Sequence, residues 1–321
     1  MDKIRVAVIG AGVFGRHHMR VLSASLNATL AGVVDADPER AAQAAAEFNC
    51  LTFATLGELE GNVDAAIVAV PTSLHADVGC ELLASGIDVL VEKPIAADLA
   101  SARRLVDTAA EHERILQVGH LERFNPAVAS LKKITNIPLF FEIHRLSLFS
   151  PRSLDVDVVL DLMIHDLDIV LDLTGAMPEE IRAAGISILS DKVDIANVRL
   201  AFPGGCVANL TASRVSTERV RKLRLFQPHQ YISLDYQKQE AVAFTVSGNQ
   251  QIGFQPLAVV KEEPLRLEVE AFLEAVAQRT QPLVSGKDGL RALEVALTIL
   301  DKIEEHAKAV STRLRQLPAR S

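Results

Sequence analysis

The chain has 321 residues, enough for about two domains with a sizeable core, and its 49% of hydrophobic residues excludes a disordered or low-complexity protein. The formal net charge of −8 argues against a general binder of nucleic acid or of polyanionic membranes. The three cysteines stand far apart without metal-ligand spacing, and we interpret them as reduced residues of a cytoplasmic protein. The sequence contains no apolar run near the roughly 18 residues of a transmembrane helix.

Short apolar runs alternate with helical patterns through the first 120 residues. The predicted strands are 4–9, 29–35, 64–71, 88–94 and 115–120, and the predicted helices are a stretch that ends near residue 25, then 38–48, 73–86 and 97–112. Buried strands that alternate with helices are typical of a parallel sheet covered on both faces. We therefore predict a doubly wound α/β domain over residues 1–120.

The pattern changes after residue 120, where strands follow one another without helices between them. A helix near 157–174 comes first, and helices near 264–279 and 286–307 come last. The predicted strands are 181–190, 193–202, 205–214, 221–227, 230–236 and 240–247, with FPGG at 202–205 as a turn. Consecutive strands of this kind indicate a mainly antiparallel sheet, so residues 121–321 are predicted to form an α+β domain.

A glycine-rich loop, GAGVFG at residues 10–15, follows the first strand and precedes the first helix. This context favours a dinucleotide site, in which Gly10 permits the tight turn, Gly12 the close approach of a pyrophosphate, and Gly15 close helix–strand packing. The N-terminus of the helix then supplies amide donors for the phosphates. The predicted cofactor contacts of the loop are Gly10, Gly12, Val13, Phe14 and Gly15.

Asp35 ends the second predicted strand, 25 residues after Gly10. A carboxylate at this point would accept hydrogen bonds from the adenosine ribose and repel a 2′-phosphate, so the sequence predicts NAD as cofactor rather than NADP. Asp37 could share this role or simply begin the next helix. An ordinary glycine turn beside a surface aspartate is the alternative interpretation.

VEKP, at residues 91–94, ends a strand at the edge where α/β proteins bind ligands. Lys93 would then point towards the nicotinamide end of the cleft, and a cis peptide bond before Pro94 would turn it inward. A solvated lysine in a strand-to-helix turn is the competing interpretation.

The stretch DVVLDLMIHDLDIVLDL, residues 157–173, is apolar except for five aspartates and one histidine. At about 100° per residue, most of these polar residues share one narrow stripe of a helix, with Asp166 on the other side. The stripe consists of Asp157, Asp161, His165, Asp168 and Asp172. Asp161 and His165 are i and i+4 neighbours, so the carboxylate can fix the imidazole tautomer and raise its basicity, as a general base requires.

Two other interpretations of this helix remain open. In an ordinary amphipathic helix the stripe would face solvent, and His165 would be incidental. Alternatively, Asp161, His165 and Asp168 would form a metal site if other elements completed the coordination shell. Because the sequence has no second cluster of His and Cys, we expect no metal.

GAGVFGRHH (10–18), AVPTSLH (69–75), EKP (92–94) and the D-x-x-x-H pair of Asp161 and His165 occur together in this chain. In this combination the chain resembles the glucose–fructose oxidoreductase / inositol dehydrogenase (Gfo/Idh/MocA) family over almost its whole length. The resemblance implies NAD-dependent oxidation of a sugar or polyol. It also implies a Rossmann domain at residues 1–120 and an open sheet at residues 121–321 that binds substrate and joins homodimers or homotetramers.

The resemblance further implies roles for individual residues. Lys93, Asp161 and His165 correspond to the family's catalytic trio, and they contact the substrate. The other implied cofactor contacts are Pro71, Thr72, His75, Glu92, Lys93 and Gln117. The other implied substrate contacts are Arg123 and Asn125, together with His120, which replaces the family's usual aromatic residue or asparagine.

Within the family, GHLERFNP and LDLMIHDLD most resemble the bacterial enzymes that oxidise the 3-hydroxyl of UDP-N-acetylglucosamine to the 3-keto sugar. This resemblance implies a downstream aminotransferase and the synthesis of a 3-amino sugar for lipid A. The diphosphate of such a substrate needs cations, because arginine pairs with phosphate through two hydrogen bonds. The candidates are Arg145 and Arg152 in HRLSLFSPRS, and Arg214, Arg219 and Arg221 further on.

The predicted reaction transfers a hydride from C3 of the sugar to NAD. His165 takes the hydroxyl proton with Asp161 orienting it, and Lys93 stabilises the developing alkoxide. A dehydrogenase of a free polyol or sugar, such as an inositol, is one alternative and needs no diphosphate site. A dinucleotide-binding regulator without turnover is another, although the catalytic trio argues against it.

Overall fold

Two compact units make up the chain. The computed structural model describes residues 3–149, 156–246 and 251–315, with side chains as far as residue 309. The first unit comprises Met1–Phe124 and Glu262–Leu293, and the second comprises Asn125–Lys261 and Glu294–Ser321. The segment 262–293 thus belongs to the first unit, whereas the division predicted at residue 120 assigned it to the second domain.

Six parallel strands form the sheet of the first unit, in the order β3-β2-β1-β4-β5-β6. The strands are β1 (Ile4–Ile9), β2 (Ala28–Val34), β3 (Leu51–Thr52), β4 (Ala65–Val68), β5 (Asp88–Glu92) and β6 (Leu116–Gly119). The predicted doubly wound parallel sheet is confirmed, and β3 was not predicted because it is only two residues long. The strand order reverses at β1, where the carboxyl ends of such sheets form a ligand-binding crevice.

Local sequence signals set the ends of several helices. The α-helices of the described chain are α1 (Val13–Ala24), α2 (Pro38–Phe48), α3 (His75–Ala84), α4 (Leu99–Glu111), α5 (Pro126–Ile134), α6 (Ile164–Thr174), α7 (Pro264–Gln278) and α8 (Gly286–Arg315). Asp37 caps α2 by accepting hydrogen bonds from the N–H groups of Glu39 and Arg40, at 3.1 and 3.2 Å. Gly175 ends α6 in the left-handed conformation, at φ 66°.

The core of the first unit draws on both of its chain segments. Val6 and Val8 of β1 and Met19 and Leu22 of α1 pack in one cluster with α7. The residues that α7 contributes are Val269, Phe272, Leu273, Ala275 and Val276. Phe272 is fully buried, and burial of a side chain of this size stabilises a fold by about 1.5–3 kcal/mol. Helix α7 is therefore part of the core on which the sheet depends.

Eight strands form the sheet of the second unit, in the order β14-β13-β12-β11-β7-β10-β9-β8. The strands are β7 (Phe140–Leu148), β8 (Glu180–Ile186), β9 (Ile195–Ala201), β10 (Val207–Ser216), β11 (Val220–Gln227), β12 (Gln230–Asp235), β13 (Glu240–Val246) and β14 (Ile252–Pro256). Strands β7 and β10 pair in parallel and the other neighbours are antiparallel, so the predicted mainly antiparallel sheet is confirmed. Strands β7 and β14 and helix α5 were not predicted. In β7, the charged Arg145 occupies a buried position of the alternation, where the pattern of a strand requires an apolar side chain.

The two faces of this sheet differ in burial. Residues with 1% or less of their surface exposed mark the inner face: Phe141, Ile143, Leu223, Leu225 and Ile232. On the other face, directly paired positions of five neighbouring strands carry an aromatic row that consists of Phe140, Phe226, Tyr231, Phe244 and Phe254. Consecutive ring centroids in the row are 4.8 to 5.7 Å apart, a spacing at which aromatic pairs attract.

Candidate active site

A cavity of about 630 Å³ lies at the carboxyl ends of β1, β2 and β4 in the first unit. Four of the predicted cofactor residues line it: Gly10, Gly12, Asp35 and Pro71. Arg40, Thr55, Leu56, Leu74 and Val78 also line it and were not predicted. An arginine close to the ribose-binding acid is a signal that could have identified Arg40. Thr55 and Leu56 stand in no motif, so only the fold brings them to the cavity.

The glycine loop has the geometry that a bound pyrophosphate requires. Gly10 has a φ of 97°, which side-chain-bearing residues rarely adopt. A Cβ at Gly15 would lie 1.8 Å from the carbonyl oxygen of Gly10, so only glycine lets α1 approach the loop. A Cβ at Gly12 would meet no described atom within 4 Å, which leaves this side of the loop open to a ligand. The loop therefore fits the diphosphate of NAD.

Asp35 lies at the wall of the cavity with 6% of its side chain exposed. Its Oδ2 accepts a hydrogen bond from the N–H of Ala11 at 2.6 Å, and its Oδ1 accepts one from the N–H of Asp37 at 2.8 Å. The Nη1 atom of Arg40 is 3.6 Å from the same Oδ1. Because an ionised carboxylate has about four lone-pair sites, Asp35 retains acceptor capacity for ribose hydroxyls. Asp37 caps α2, and beginning this helix is the second of the two roles that the sequence left open for it.

His75 and Gln117, two predicted cofactor contacts, are buried and hold backbone groups together. His75 Nδ1 is 2.8 Å from the carbonyl oxygen of Pro94, and its Nε2 is 2.9 Å from that of Val70. Burial lowers the pKa of His75, so the ring is neutral and donates to one of these carbonyls. Gln117 Nε2 donates to the carbonyl oxygen of Glu268 at 3.1 Å. Contact of either side chain with the cofactor stays a prediction.

Three further predicted cofactor residues lie near the ends of helices. Val13 and Phe14 are each 62% exposed at the start of α1. Thr72 begins a short 3₁₀ turn, Thr72–Leu74, which leads into α3. All three are accessible at the surface of the first unit, as a ligand contact requires.

Glu92 ends β5 and precedes Lys93, whose peptide bond to Pro94 is cis. The buried His18 of α1 places its Nε2 2.8 Å from Oε1 of Glu92, and the N–H of Lys93 donates to Oε2 at 3.3 Å. Burial alone would raise the pKa of Glu92, but the hydrogen bond from His18 and the charge of Lys93 lower it overall. His18 lies within GAGVFGRHH, but nothing in that motif indicated a role for it.

The predicted substrate contacts in QVGHLERFNP are buried. His120 is 1% exposed, and burial together with the charge of Arg123 lowers its pKa to about 3, so the ring is neutral. Nη2 of Arg123 donates to the carbonyl oxygen of Leu283 at 3.3 Å. Asn125 caps α5, with its Oδ1 accepting from the N–H of Ala127 at 3.1 Å. These are structural contacts, and substrate binding by the three residues stays a prediction.

Asp161 and His165 lie where a π-helical turn, Val159–Met163, leads into α6. The N–H of Ile164 bonds to the carbonyl oxygen of Val159, five residues back. Both side chains are partly exposed, whereas most neighbouring residues are buried. The sequence pattern predicted an uninterrupted α-helix here. π-turns inside helices occur often at functional sites, which agrees with a catalytic role for this pair.

The acidic stripe predicted for this helix is not continuous. Asp168 is 2% exposed, so a solvent-facing stripe does not describe the helix. Oδ1 of Asp157 accepts from the N–H of Val193 at 2.8 Å. Asp172 forms an ion pair with Lys132 of α5 at 2.7 Å. Two of the aspartates left unassigned by the sequence therefore stabilise the second unit.

Arg145 and Asp166 form an ion pair inside the second unit, with both side chains 2% exposed. Nε and Nη2 of Arg145 each donate to a carboxylate oxygen of Asp166 at 2.7 Å, and the guanidinium carbon is 5.0 Å from the ring centre of Tyr236. This burial corrects the expectation that Arg145 faces a substrate phosphate. Arg152, the other candidate in that segment, lies outside the described residues.

The remaining candidate cations differ in exposure. Arg214 is 6% exposed, and its Nε lies 3.5 Å from the buried carboxylate of Asp194. Arg219 is exposed in the turn between β10 and β11, and Arg221 is partly buried at the start of β11. Arg214 thus has a structural role, whereas Arg219 is accessible to an anionic ligand.

Within the described residues, no group of three or more His, Cys, Asp or Glu side chains could hold a metal ion. None of the helices in that part of the chain is both long enough and apolar enough to cross a membrane.

Comparison with known proteins gives matches to both parts of the chain. Residues 4–120 match the Gfo/Idh/MocA oxidoreductase family model, described as an NAD-binding Rossmann fold, and residues 146–229 match the family's C-terminal domain. The chain is 38% identical to UDP-N-acetylglucosamine 3-dehydrogenase of Acidithiobacillus ferrooxidans, over 95% of this chain and 98% of that one. It is 25% identical to an inositol 2-dehydrogenase of Rhizobium meliloti, over 94% and 97% of the two chains.

Solved structures agree with these matches. The structure of the Acidithiobacillus ferrooxidans enzyme superposes with a TM-score of 0.90 at 37% identity, covering 95% of this chain and 99% of that one. Levoglucosan dehydrogenase in complex with NADH and levoglucosan has the same fold, with a TM-score of 0.87 at 18% identity over 95% and 98%. The chain is therefore an enzyme of the Gfo/Idh/MocA oxidoreductase family, and residues 4–120 are its NAD-binding Rossmann domain.

Proposed function

We propose that this enzyme uses NAD to oxidise the 3-hydroxyl of a UDP-N-acetyl-hexosamine, UDP-N-acetylglucosamine, to the 3-keto sugar. The observation that carries the proposal is the 38% identity, over 95% of this chain, to an enzyme named for that reaction. The 3-keto product is a substrate for an aminotransferase, and the resulting 3-amino sugar would enter lipid A. Asp35 supports the choice of NAD, because its carboxylate at the cavity wall would repel a 2′-phosphate.

Three side chains perform the proposed proton chemistry. Bound NAD supplies the hydride acceptor. His165 accepts the proton of the sugar hydroxyl, and Asp161 orients its ring. Lys93 donates a hydrogen bond to the same oxygen and stabilises the negative charge that develops there. General base catalysis of this kind typically contributes about 10²–10⁴-fold to the rate.

The diphosphate of the proposed substrate needs accessible cations. Arg145 and Arg214 are buried and paired with carboxylates, whereas Arg219 is exposed. We therefore assign Arg219 to the diphosphate. Arg219→Gln should raise KM for the nucleotide sugar about tenfold, since charged hydrogen bonds to phosphate are worth about 1.5–3 kcal/mol. Arg182→Gln, which changes a 77% exposed arginine of β8, is the matched control.

The deciding experiment supplies the purified enzyme with NAD and UDP-N-acetylglucosamine. NADH absorbance should rise, and mass spectrometry should detect a nucleotide sugar that has lost two hydrogen atoms. Reduction of the product with borodeuteride should place deuterium at C3. The His165→Ala enzyme should lose about 10²–10⁴-fold in kcat. Deuterium at another carbon, or an unchanged kcat in His165→Ala, would contradict the proposal.

The alternatives predict other results in the same assay. Turnover of inositol or a free sugar, with none of the nucleotide sugar, would support a polyol dehydrogenase, which the match to an inositol 2-dehydrogenase favours. Binding of NAD without turnover of either substrate class would support a regulator. A rise in Tm on addition of UDP alone would favour the nucleotide-sugar substrate, because only a ligand of the native state raises Tm.

We also propose that the enzyme forms homodimers or homotetramers through the aromatic row. Phe226 and Phe254 in this row are 37% and 64% exposed, and exposed apolar patches of this kind mark protein interfaces. Phe254→Asp should shift the molecular mass in light scattering towards the monomer. Leu51→Asp, at a position of the first unit that is also 64% exposed, is the control and should leave the mass unchanged.

The free cysteines support a cytoplasmic location, which is part of the same proposal. Cys50, Cys80 and Cys206 are all unbonded thiols. Reduced thiols are typical of the cytoplasm, where glutathione and thioredoxin prevent disulfides. Cell fractionation followed by activity measurement would test this location.

A further inference from the structure

A cluster of buried polar side chains lies beneath the end of β5 in the first unit. His18 and Gln117 have no exposed surface, and Glu268 of α7 is 1% exposed. Glu92, at the end of β5, joins the cluster through His18. Buried polar groups are costly unless they are fully paired, so this cluster requires an explanation.

The contacts of Glu92 hold the backbone at Lys93. One oxygen of Glu92 lies 2.8 Å from Nε2 of His18, and the other accepts a hydrogen bond from the N–H of Lys93 at 3.3 Å. A Cβ at Gly119 would lie 3.2 Å from Oε2 of Glu92, so β6 packs directly against the carboxylate. The carboxylate therefore has little room to change rotamer, and its hydrogen bond fixes the position of the Lys93 backbone.

Glu268 extends the cluster from the other side. Gln117 donates to the carbonyl oxygen of Glu268 at 3.1 Å, which attaches α7 to β6 beside β5. Among the described residues, Oε1 of Glu268 and Oε1 of Gln117 have no hydrogen-bond partner. Burial, and then the negative charge of Glu92, raise the pKa of Glu268 well above its usual range, so it keeps its proton. The cluster thus holds one carboxylate and one neutral acid.

We propose that His18 is a positioning residue that acts on Lys93 through Glu92. The ring of His18 holds one oxygen of the Glu92 carboxylate, and the other oxygen accepts the hydrogen bond from the Lys93 N–H. The inference rests on the proposed catalytic role of Lys93.

The titratable and charged side chains on the surrounding elements are His18 on α1, Glu92 and Lys93 at the end of β5, His120, Glu122 and Arg123 after β6, and Asp288 on α8. His120 stays neutral because its pKa is about 3. Among these groups, Glu92 is the one whose charge acts on Glu268.

Kinetics of variants test the proposal. His18→Leu should lower kcat at least about tenfold and leave the dissociation constant of NAD within about twofold, because a positioning residue acts on the reaction step. His18→Gln, which can still donate an N–H to Glu92, should recover part of the loss. His112→Leu, at an exposed histidine, is the matched control. Equal losses in His18→Leu and His18→Gln, or a weakened NAD affinity that accounts for the whole effect, would overturn it.

A measurement without substrate separates this proposal from the proposed function. Acylation of lysines, resolved by peptide mass spectrometry, reports how readily the Lys93 amine reacts, with the exposed Lys3 as internal reference. Glu92→Gln and His18→Leu should change the rate at Lys93 at least about threefold, because loss or displacement of the carboxylate alters the field at the amine. Changed Lys93 labelling in an enzyme that does not oxidise the nucleotide sugar would support the positioning cluster and contradict the substrate. Unchanged labelling in an active enzyme would contradict the cluster alone.

Discussion

Arg145 and Asp166 meet side-on in the second unit, through two parallel hydrogen bonds of 2.7 Å between side chains that are each 2% exposed. A buried pair of this kind gains little net stability over apolar residues of similar size, because both charges have lost their hydration. Loss of one partner destabilises the fold strongly, because it leaves an uncompensated charge in the core.

Asp166→Asn should therefore lower the free energy of unfolding by about 3–5 kcal/mol, whereas the double variant Arg145→Met with Asp166→Leu should lose much less. Urea unfolding of the three proteins measures the difference. Arg182→Met, which breaks an exposed arginine–glutamate pair, is the control and should be nearly neutral. A single variant as stable as the wild type would show that the pair is not buried in solution.

Asp35→Ser should weaken the preference for NAD over NADP. The substitution removes the carboxylate that would repel a 2′-phosphate and leaves Arg40, whose guanidinium lies 3.6 Å from Asp35, available to bind it. We expect kcat/KM with NAD to fall about tenfold and the ratio of the two cofactors to change by more, since a charged hydrogen bond is worth about 1.5–3 kcal/mol. Asp77→Ser, at an exposed aspartate, is the control. An unchanged cofactor ratio would contradict the assignment of Asp35.

Asp161→Asn should lower kcat about 10²-fold with little effect on KM, because the neutral amide no longer favours the protonated imidazole of His165. Steady-state kinetics with the nucleotide sugar give both constants. Asp191→Asn, an exposed aspartate of the same unit, serves for comparison. A loss confined to KM would instead make Asp161 a substrate-binding residue.

His120 makes stability depend on pH in the acid range. Its pKa is about 3 in the folded protein and 6.5 in the unfolded chain, so below pH 6.5 the unfolded state binds a proton that the folded ring does not. The free energy of unfolding should therefore fall as the pH falls, by up to about 1.4 kcal/mol per pH unit from this residue. His120→Gln should show a shallower slope in urea unfolding over the same range. Equal slopes in the wild type and His120→Gln would show that another group causes the pH dependence.

Glu268 has the opposite effect. Its pKa lies well above the usual 4.5, so above that pH the unfolded chain releases a proton that the folded protein keeps. Stability falls as pH rises through this interval, by up to about 1.4 kcal/mol per unit, until Glu268 ionises in the folded state. The Tm of Glu268→Gln should consequently rise relative to that of the wild type as pH increases. Glu274→Gln, at an exposed glutamate of the same helix, should show no such trend.

The first 120 residues could be predicted from the sequence because their signals are local. Apolar runs identify the buried parallel strands, and the glycine loop requires one geometry, which the φ of Gly10 and the tight contact of Gly15 reproduce. Asp37 also acts locally, as the cap of α2. Where neighbouring residues determine the structure, the structure predicted from the sequence pattern agrees with the observed one.

Long-range contacts could not be predicted in this way. Arg145 and Asp166 are 21 residues apart, and no pattern in either segment indicates that they pair instead of facing solvent or substrate. The π-turn before α6 packs against β10 and leaves no mark on the apolar periodicity. The pairing of His18 with Glu92, 74 residues away, joins two motifs that the sequence shows separately.

The place of α7 in the first unit has a consequence for how the protein is made. Val269, Phe272 and Leu273 complete a core that begins with Val6, so the core of the first unit is unfinished when residue 124 leaves the ribosome. At about 5–20 residues per second, roughly 8–30 s pass before residue 276 follows. During that interval the apolar residues that later pack against α7 are exposed to solvent on the nascent chain. The enzyme should therefore depend on chaperones during synthesis more than a protein whose Rossmann domain is one continuous segment.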